Sequence, residues 1–216
     1  MLLLFGTGNS SAEPLRFVEV DPSVIAERFS RIRSGDAKRA KELAALFAEA
    51  GCPPEHLVLQ KVRRSRHPNV ICTLPGSTDQ RIIVGAHFDS VPSSPGAVDN
   101  WSGAALLPSL YASLSRPQRR YTFVFIGFTD EEEGRIGSLF YVDQLSPSAG
   151  EKVRAMVNLD SLGLGATKVW AETADPRLMA TLDLVAKATN RPWSPVDLGR
   201  GRNTDSTSFG EAGIPA

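Results

Sequence analysis

The residues of this sequence able to do chemistry are one histidine and a set of carboxylates that recur at comparable places in the chain. His87 and Asp89 follow the apolar run Ile82-Ile83-Val84-Gly85-Ala86. Asp99 and Asn100 stand ahead of a segment rich in alanine and leucine. Glu131, Glu132 and Glu133 come shortly after an aromatic and β-branched run ending at Phe128, and Asp160 follows Val157-Asn158-Leu159. Carboxylates drawn together raise one another's pKa, so such a group persists only when protonated or when cations sit among it. Imidazole with carboxylates and no thiolate suits Zn²⁺ or a similar divalent ion, and two such ions ~3.5–4 Å apart require a carboxylate that bridges them.

These groups can act together only if the surrounding elements aim them at one point. Hydrophobic periodicity predicts helices over 21–34 and 36–50. In the second, Leu43, Leu46 and Phe47 share a face, while Lys38, Arg39, Lys41, Glu42 and Glu49 fall mostly on the polar one, and Gly51-Cys52-Pro53-Pro54 ends it. Strands are predicted over 57–64, 69–74, 81–87, 121–128, 154–160 and, briefly, 168–171, with helices over 100–115, 134–145 and 176–189. Strands alternating with helices predict an α/β domain: a mixed, largely parallel sheet with helices on both faces. In such sheets the carboxyl ends of the strands form the ligand crevice, where the acidic and imidazole-bearing loops would converge.

Composition narrows the functional classes. A chain of 216 residues with 42% hydrophobic and 22% charged residues is the size of one globular domain and excludes disordered, collagenous and coiled-coil chains. Neither a repeat nor a linker divides it, so residues 21–216 read as one domain after an N-terminal segment, 1–20. Lys+Arg 24 against Asp+Glu 24 gives no electrostatic reason to expect a nucleic acid or an anionic membrane as partner. The basic run Arg63-Arg64-Ser65-Arg66-His67 reads as a solvated turn, and Trp101 and Trp170 as packing residues near the crevice. No apolar run approaches the ~20 residues of a membrane-spanning helix. Met1 to Ala12 has the apolar stretch and small residues of the latter half of a signal peptide, which predicts a secreted or periplasmic protein, a frayed terminus being the plain alternative. Cys52 and Cys72 read by default as buried free thiols, with a single bridge between them expected only in an exported protein. The final Gly213-Ile214-Pro215-Ala216 reads as the approach to another buried strand, and so as a truncated domain.

The segments Gly85-Ala86-His87-Phe88-Asp89-Ser90-Val91, Ala97-Val98-Asp99-Asn100-Trp101-Ser102-Gly103, Phe128-Thr129-Asp130-Glu131-Glu132-Glu133-Gly134 with Arg135-Ile136-Gly137-Ser138, and Val157-Asn158-Leu159-Asp160 occur in this order. Together they resemble the ordered motifs of the M28 zinc peptidases, a family that includes secreted bacterial aminopeptidases, plasma glutamate carboxypeptidase and glutaminyl cyclase. The resemblance implies a zinc exopeptidase-like three-layer sandwich. Position by position, it implies that His87 and Asp160 hold one zinc, that Asp99 bridges two, and that Glu132 is the terminal carboxylate of the second. Glu131 would be the general base, with Asp89 the catalytic carboxylate that fixes the His87 ring. The peptide bond before Asn100 is at a position where the family commonly has a cis bond.

Two departures from the family pattern matter. The second zinc normally takes a histidine from beyond the Gly-Ile-Pro segment, which this chain does not contain, and the usual Ser-Asp-His upstream of it appears as Thr204-Asp205-Ser206. The remaining histidines, His56 and His67, carry no site pattern. Counting ligands predicts one complete site, His87, Asp99 and Asp160, a weak second one, and low peptidase activity in the chain as it stands. The expected function is that of a zinc-dependent aminopeptidase acting on peptide substrates. The alternatives are a glutaminyl cyclase-like acyltransferase and a non-catalytic metal-binding remnant of the fold.

Overall fold

Along the central strands, neighbouring residues point to opposite faces, and each face meets its own apolar cluster. Val70, Cys72, Val84, Ala86 and Phe125 belong to one cluster, while Ile71, Ile83, Val124, Ile126 and Met156 belong to the other. This two-sided burial explains why the runs over 82–86 and 123–128 are almost continuously apolar rather than alternating. The computed structural model describes residues 18–199 and 201–216. The expectation of an exported N-terminus rests on residues 1–12, which lie outside that range.

The elements, in chain order, are α1 (Pro22–Ser30), α2 (Asp36–Glu49), β1 (Leu57–Lys61), β2 (Pro68–Leu74), β3 (Arg81–His87), α3 (Ser102–Ser115), β4 (Thr122–Phe128), α4 (Ile136–Asp143), α5 (Pro147–Gly150), β5 (Val153–Asn158), β6 (Lys168–Trp170), α6 (Pro176–Thr189), β7 (Ser194–Val196) and α7 (Asp205–Glu211). The main sheet has the order β1-β2-β4-β3-β5, and β6 and β7 form a separate parallel pair. In the main sheet β1/β2 and β2/β4 are antiparallel, whereas β3/β4 and β3/β5 are parallel, so β2 alone opposes the common direction. Residues of α2 and α3 fill the cluster on one face; Tyr141 of α4 and Phe209 of α7 fill that on the other. The sheet is mixed and largely parallel, with helices on both faces, as the alternation of elements predicts. Among the described residues no helix is long and apolar enough to cross a membrane.

Register places the chemistry. His87 pairs with Phe128 at the ends of β3 and β4, and Gly85 pairs with Asn158 of β5. The segments after His87, Phe128 and Asn158 therefore leave the sheet at one edge.

Several boundaries differ from expectation, each for a local reason. α1 stops at Ser30, and Arg31 and Arg33 turn outward to bond Glu42 and Glu49 of α2. β1 ends at Lys61, whose register partner is Pro68 at the very start of β2. The helix expected from residue 100 begins at Ser102, because Ala97–Trp101 forms an irregular turn containing a cis bond between Asp99 and Asn100. The short elements α5, β7 and α7 have no periodicity long enough to read from sequence.

Two expectations are overturned. Cys52 and Cys72 are joined in a disulfide with Cα atoms 6.4 Å apart, instead of remaining free thiols. Packing α2 over the sheet carries the residues after its end onto β2, a juxtaposition that sequence spacing does not encode. Arg39, read as part of the polar face of α2, is only 2% exposed. It lies four and seven residues before Leu43 and Leu46, on their stripe rather than opposite it.

Candidate metal centre

His87 ends β3 with its ring 1% exposed and both nitrogens facing carboxylates. Nε2 lies 3.1 Å from Asp99 Oδ1 and 3.9 Å from Asp160 Oδ2, while Nδ1 lies 3.3 Å from Asp89 Oδ1. One donor atom each from His87, Asp99 and Asp160 falls within a group spanning no more than 4.8 Å. Asp99 is 56% exposed, so the group opens to solvent on one side and is walled by the sheet on the other.

The loops that deliver these residues are tied to one another by buried side-chain amides and carboxylates. Asn100 donates from Nδ2 to Leu159 O at 2.8 Å, and its Oδ1 accepts from Ser161 N at 3.2 Å and from Gly103 N at 3.1 Å. The residue after Asp99 thus grips the backbone on both sides of Asp160. Ser102 adds a second tie by accepting from Leu162 N at 2.9 Å. Gly103 makes this approach of α3 feasible, since a Cβ there would lie 2.5 Å from Leu159 O. Asp89 accepts from Glu131 N and Glu132 N at 3.1 Å each, tying the β3 loop to the β4 loop. Asn69 of β2 braces the same loop: its Oδ1 accepts from Thr129 N at 3.1 Å, and its Nδ2 donates to Gly137 O at 2.9 Å.

The electrostatics are those of an acidic site held partly out of water. Burial pushes the Glu131 carboxyl up to about 8, with the negative charge of Asp205 adding to the effect. Burial raises Asp160 and Glu132 as well, and for Glu132 the charge of Asp99 is the next contributor. Asp99 shifts downward because it pairs with His87. Burial opposes a charge on His87, but the carboxylates of Asp89 and Asp99 beside the ring outweigh it and hold the imidazolium pKa well above the usual value. Positive charge is what this cluster lacks, and a proton on His87 supplies only part of it.

Of the residues expected from sequence, His87, Asp99 and Asp160 come together as donors, with Asp89 behind the imidazole. Glu132 is exposed and stands outside the tight group, although Asp99 acts on it. Glu131 is partly buried beside the cluster. Trp101 is fully buried and donates from its indole to Phe29 O at 3.0 Å, so it packs rather than lining a crevice. Sequence reasoning passed over Asp205, which is fully buried at the start of α7, with neither carboxylate oxygen hydrogen-bonded, and which burial pushes up to about 7. The signal for it was the Thr204-Asp205-Ser206 segment ahead of Gly213-Ile214-Pro215, noted only as a departure. Asn69 gave no signal, since a lone asparagine in a predicted strand has no distinguishing pattern.

The donor set fits a divalent cation such as zinc. Donor atoms around a tetrahedral zinc are separated by about 3–3.5 Å; the 3.1 Å contact of His87 with Asp99 falls in that range and the 3.9 Å contact with Asp160 is longer, while the Nδ1 side of the ring faces a carboxylate as metal-bound imidazoles generally require.

Comparisons with known proteins bear on the same residues. A sequence model described as Peptidase family M28 matches residues 69–216. Aminopeptidase YwaD of Bacillus subtilis is 30% identical over 160 residues, an alignment that takes in 72% of this chain and 33% of that protein. The chain thus spans about a third of the length of this curated relative. Among solved structures, the zinc aminopeptidase BSAP from Bacillus subtilis superposes with a TM-score of 0.63 at 28% identity, covering 69% of this chain and 38% of that one. A glutaminyl cyclase from an Acidobacteriales bacterium superposes with a TM-score of 0.72 at 16% identity, over 89% of this chain and 75% of that one, which speaks for the fold. The family match runs from β2 through all the loops at the site to the last residue, and on that ground the chain belongs to peptidase family M28.

Proposed function

We propose that this chain carries the metal centre of a zinc-dependent exopeptidase of the aminopeptidase type, with His87, Asp99 and Asp160 as zinc ligands and Glu131 as general base. The observation that supports this most is the convergence of His87, Asp99 and Asp160 donors within 4.8 Å at one edge of the sheet, with Asp89 facing the far side of the imidazole. Bound zinc would supply a Lewis acid that polarises a peptide carbonyl and lowers the pKa of water. Asp99 would also face a second ion, with Glu132 as the further carboxylate toward it among the described residues; two donors make a weak site. Glu131 would take a proton from the attacking water and deliver it to the departing amine. Without a metal, burial raises its carboxyl to about 8; cationic charge nearby would lower that value and leave the ionised carboxylate that acts as the base. A secreted or periplasmic location fits the Cys52–Cys72 disulfide, because such bonds persist in oxidising compartments.

The reading is tested on the purified chain by zinc stoichiometry together with product analysis on peptides carrying N-terminal leucine or glutamine. One tightly bound Zn²⁺ per chain and release of the free N-terminal residue are expected. Pyroglutamate formation from the glutamine peptide would replace the peptidase assignment with a cyclase, and absence of zinc binding would refute the site.

A further inference from the structure

Arg39 is among the most buried charged side chains described, and its hydrogen bonds go to backbone carbonyls and to none of the candidate zinc ligands. It projects from the core stripe of α2, where Leu43 and Leu46 pack and an apolar side chain would avoid the cost of burying a guanidinium. Its donors go to backbone carbonyls from three separate places. Nε donates to Arg33 O at 2.8 Å, Nη1 donates to Phe88 O at 2.9 Å, and Nη2 donates to Pro95 O. The last two matter most. Phe88 lies between His87 and Asp89. Pro95 precedes Gly96, whose carbonyl accepts from Trp101 N at 3.0 Å and closes the turn containing Asp99.

A guanidinium is planar, and the directions of its N–H groups are fixed relative to one another. With one nitrogen on the His87 segment and another on the approach to the Asp99 turn, Arg39 sets the spacing of the two loops as a rigid fork. The fit is close: a Cβ at Gly96 would lie 2.7 and 2.9 Å from the two terminal nitrogens, and Gly96 has φ +57, a conformation glycine adopts freely. The carboxylates of Asp36 and Asp89 are the negative charges that act on the buried cation.

We propose that Arg39 is a positioning residue for the metal centre: it holds the His87 loop and the Asp99 turn at the separation their donors need, and so sets the affinity of the site for a divalent cation. This rests on the zinc reading above and concerns a residue that reading does not use.

The test compares Zn²⁺ affinity, by chelator competition, and the Co²⁺ d–d spectrum in wild type, Arg39→Met, Arg39→Lys and Leu46→Ala. Met keeps the aliphatic stem and removes the fork; Lys restores the charge and can reach one carbonyl at a time. Leu46→Ala loosens the same stripe of α2 and serves as the control for general destabilisation. Zinc binding is expected to weaken about 10–100-fold in Arg39→Met, with altered cobalt bands, and to recover in part in Arg39→Lys. Leu46→Ala is expected to lower the melting temperature while leaving affinity within about threefold and the cobalt spectrum unchanged. Should Arg39→Met fail to fold, the lysine variant carries the comparison, with affinity expected about tenfold below wild type. Wild-type affinity and spectrum in the folded Arg39 variants would overturn the proposal alone, as would equal weakening in Leu46→Ala. A wild-type chain without zinc affinity would overturn the site reading and this proposal with it.

Discussion

Asp89 accepts the backbone N–H of Glu131 through Oδ1 at 3.1 Å, and its Oδ2 accepts that of Glu132 at the same distance. A carboxylate from the β3 loop thereby serves two ends at once: it faces His87 Nδ1 and it holds the candidate base in place. Asp89→Asn replaces one acceptor oxygen by an NH₂ group that must face a donor. Zinc affinity should fall about 10–100-fold, and stability by about 1–3 kcal/mol. Chelator competition and thermal unfolding of the metal-free variant measure the two effects separately; unchanged affinity would remove Asp89 from the metal centre.

Glu131→Gln keeps the size of the side chain and removes its ability to take a proton. Peptidase turnover should drop about 10²–10⁴-fold while zinc content stays at the wild-type value. Steady-state rates on an aminoacyl anilide, paired with metal analysis of the same sample, decide it. Loss of zinc along with activity would make Glu131 a ligand instead of a base.

The raised carboxyl groups predict how the metal-free protein responds to pH. Glu131 moves from 4.5 to about 8 and Asp205 from 3.8 to about 7, in each case chiefly through burial. Between the unfolded and folded values the native state binds more protons than the unfolded chain, so stability falls as pH rises. His87 acts in the same direction, since its raised pKa contributes stability that is lost as the ring deprotonates. The downward shift of Asp99 matters only at more acidic pH. Chelator-treated protein should therefore melt at a higher temperature near pH 5.5 than near pH 8.5, and excess Zn²⁺ should abolish or reverse that order. A melting temperature that climbs with pH without metal would contradict the burial of these two acids.

The Cys52–Cys72 bond closes a loop with a sequence separation of 20. Loop-closure entropy for that length is worth roughly 3 kcal/mol. Cys52→Ser combined with Cys72→Ser should cost about 2–4 kcal/mol in denaturant unfolding. Zinc affinity should change little, because the bond anchors the end of α2 to β2 and not to a ligand loop. Wild-type stability in the double variant would mean that the thiols are not joined in solution.

The parts of the fold legible in the sequence are those where a local pattern repeats or a run is long. β3 and β4 announce themselves through apolar runs that end in His87 and Phe128, and α6 was readable over its full length. Arg39 was misread because charge was given more weight than its spacing from Leu43 and Leu46. The disulfide was misread because pairing depends on where α2 lies on the sheet. Asp205 was passed over because a seven-residue helix has too little periodicity to show that its first residue is buried.

By itself the sequence determined the kinds of donor available and the strand ends at which they occur, since residue type and period are local properties. Tertiary structure alone decided that β3 lies between β4 and β5, so that His87, Glu131 and Asp160 leave the sheet at one edge. It also decided that the Asn100 amide grips residues 159 and 161 and that Asp89 reaches the N–H groups of the β4 loop. Those contacts join segments distant in the chain, and their geometry exists only once the sheet is assembled and the loops are packed against one another.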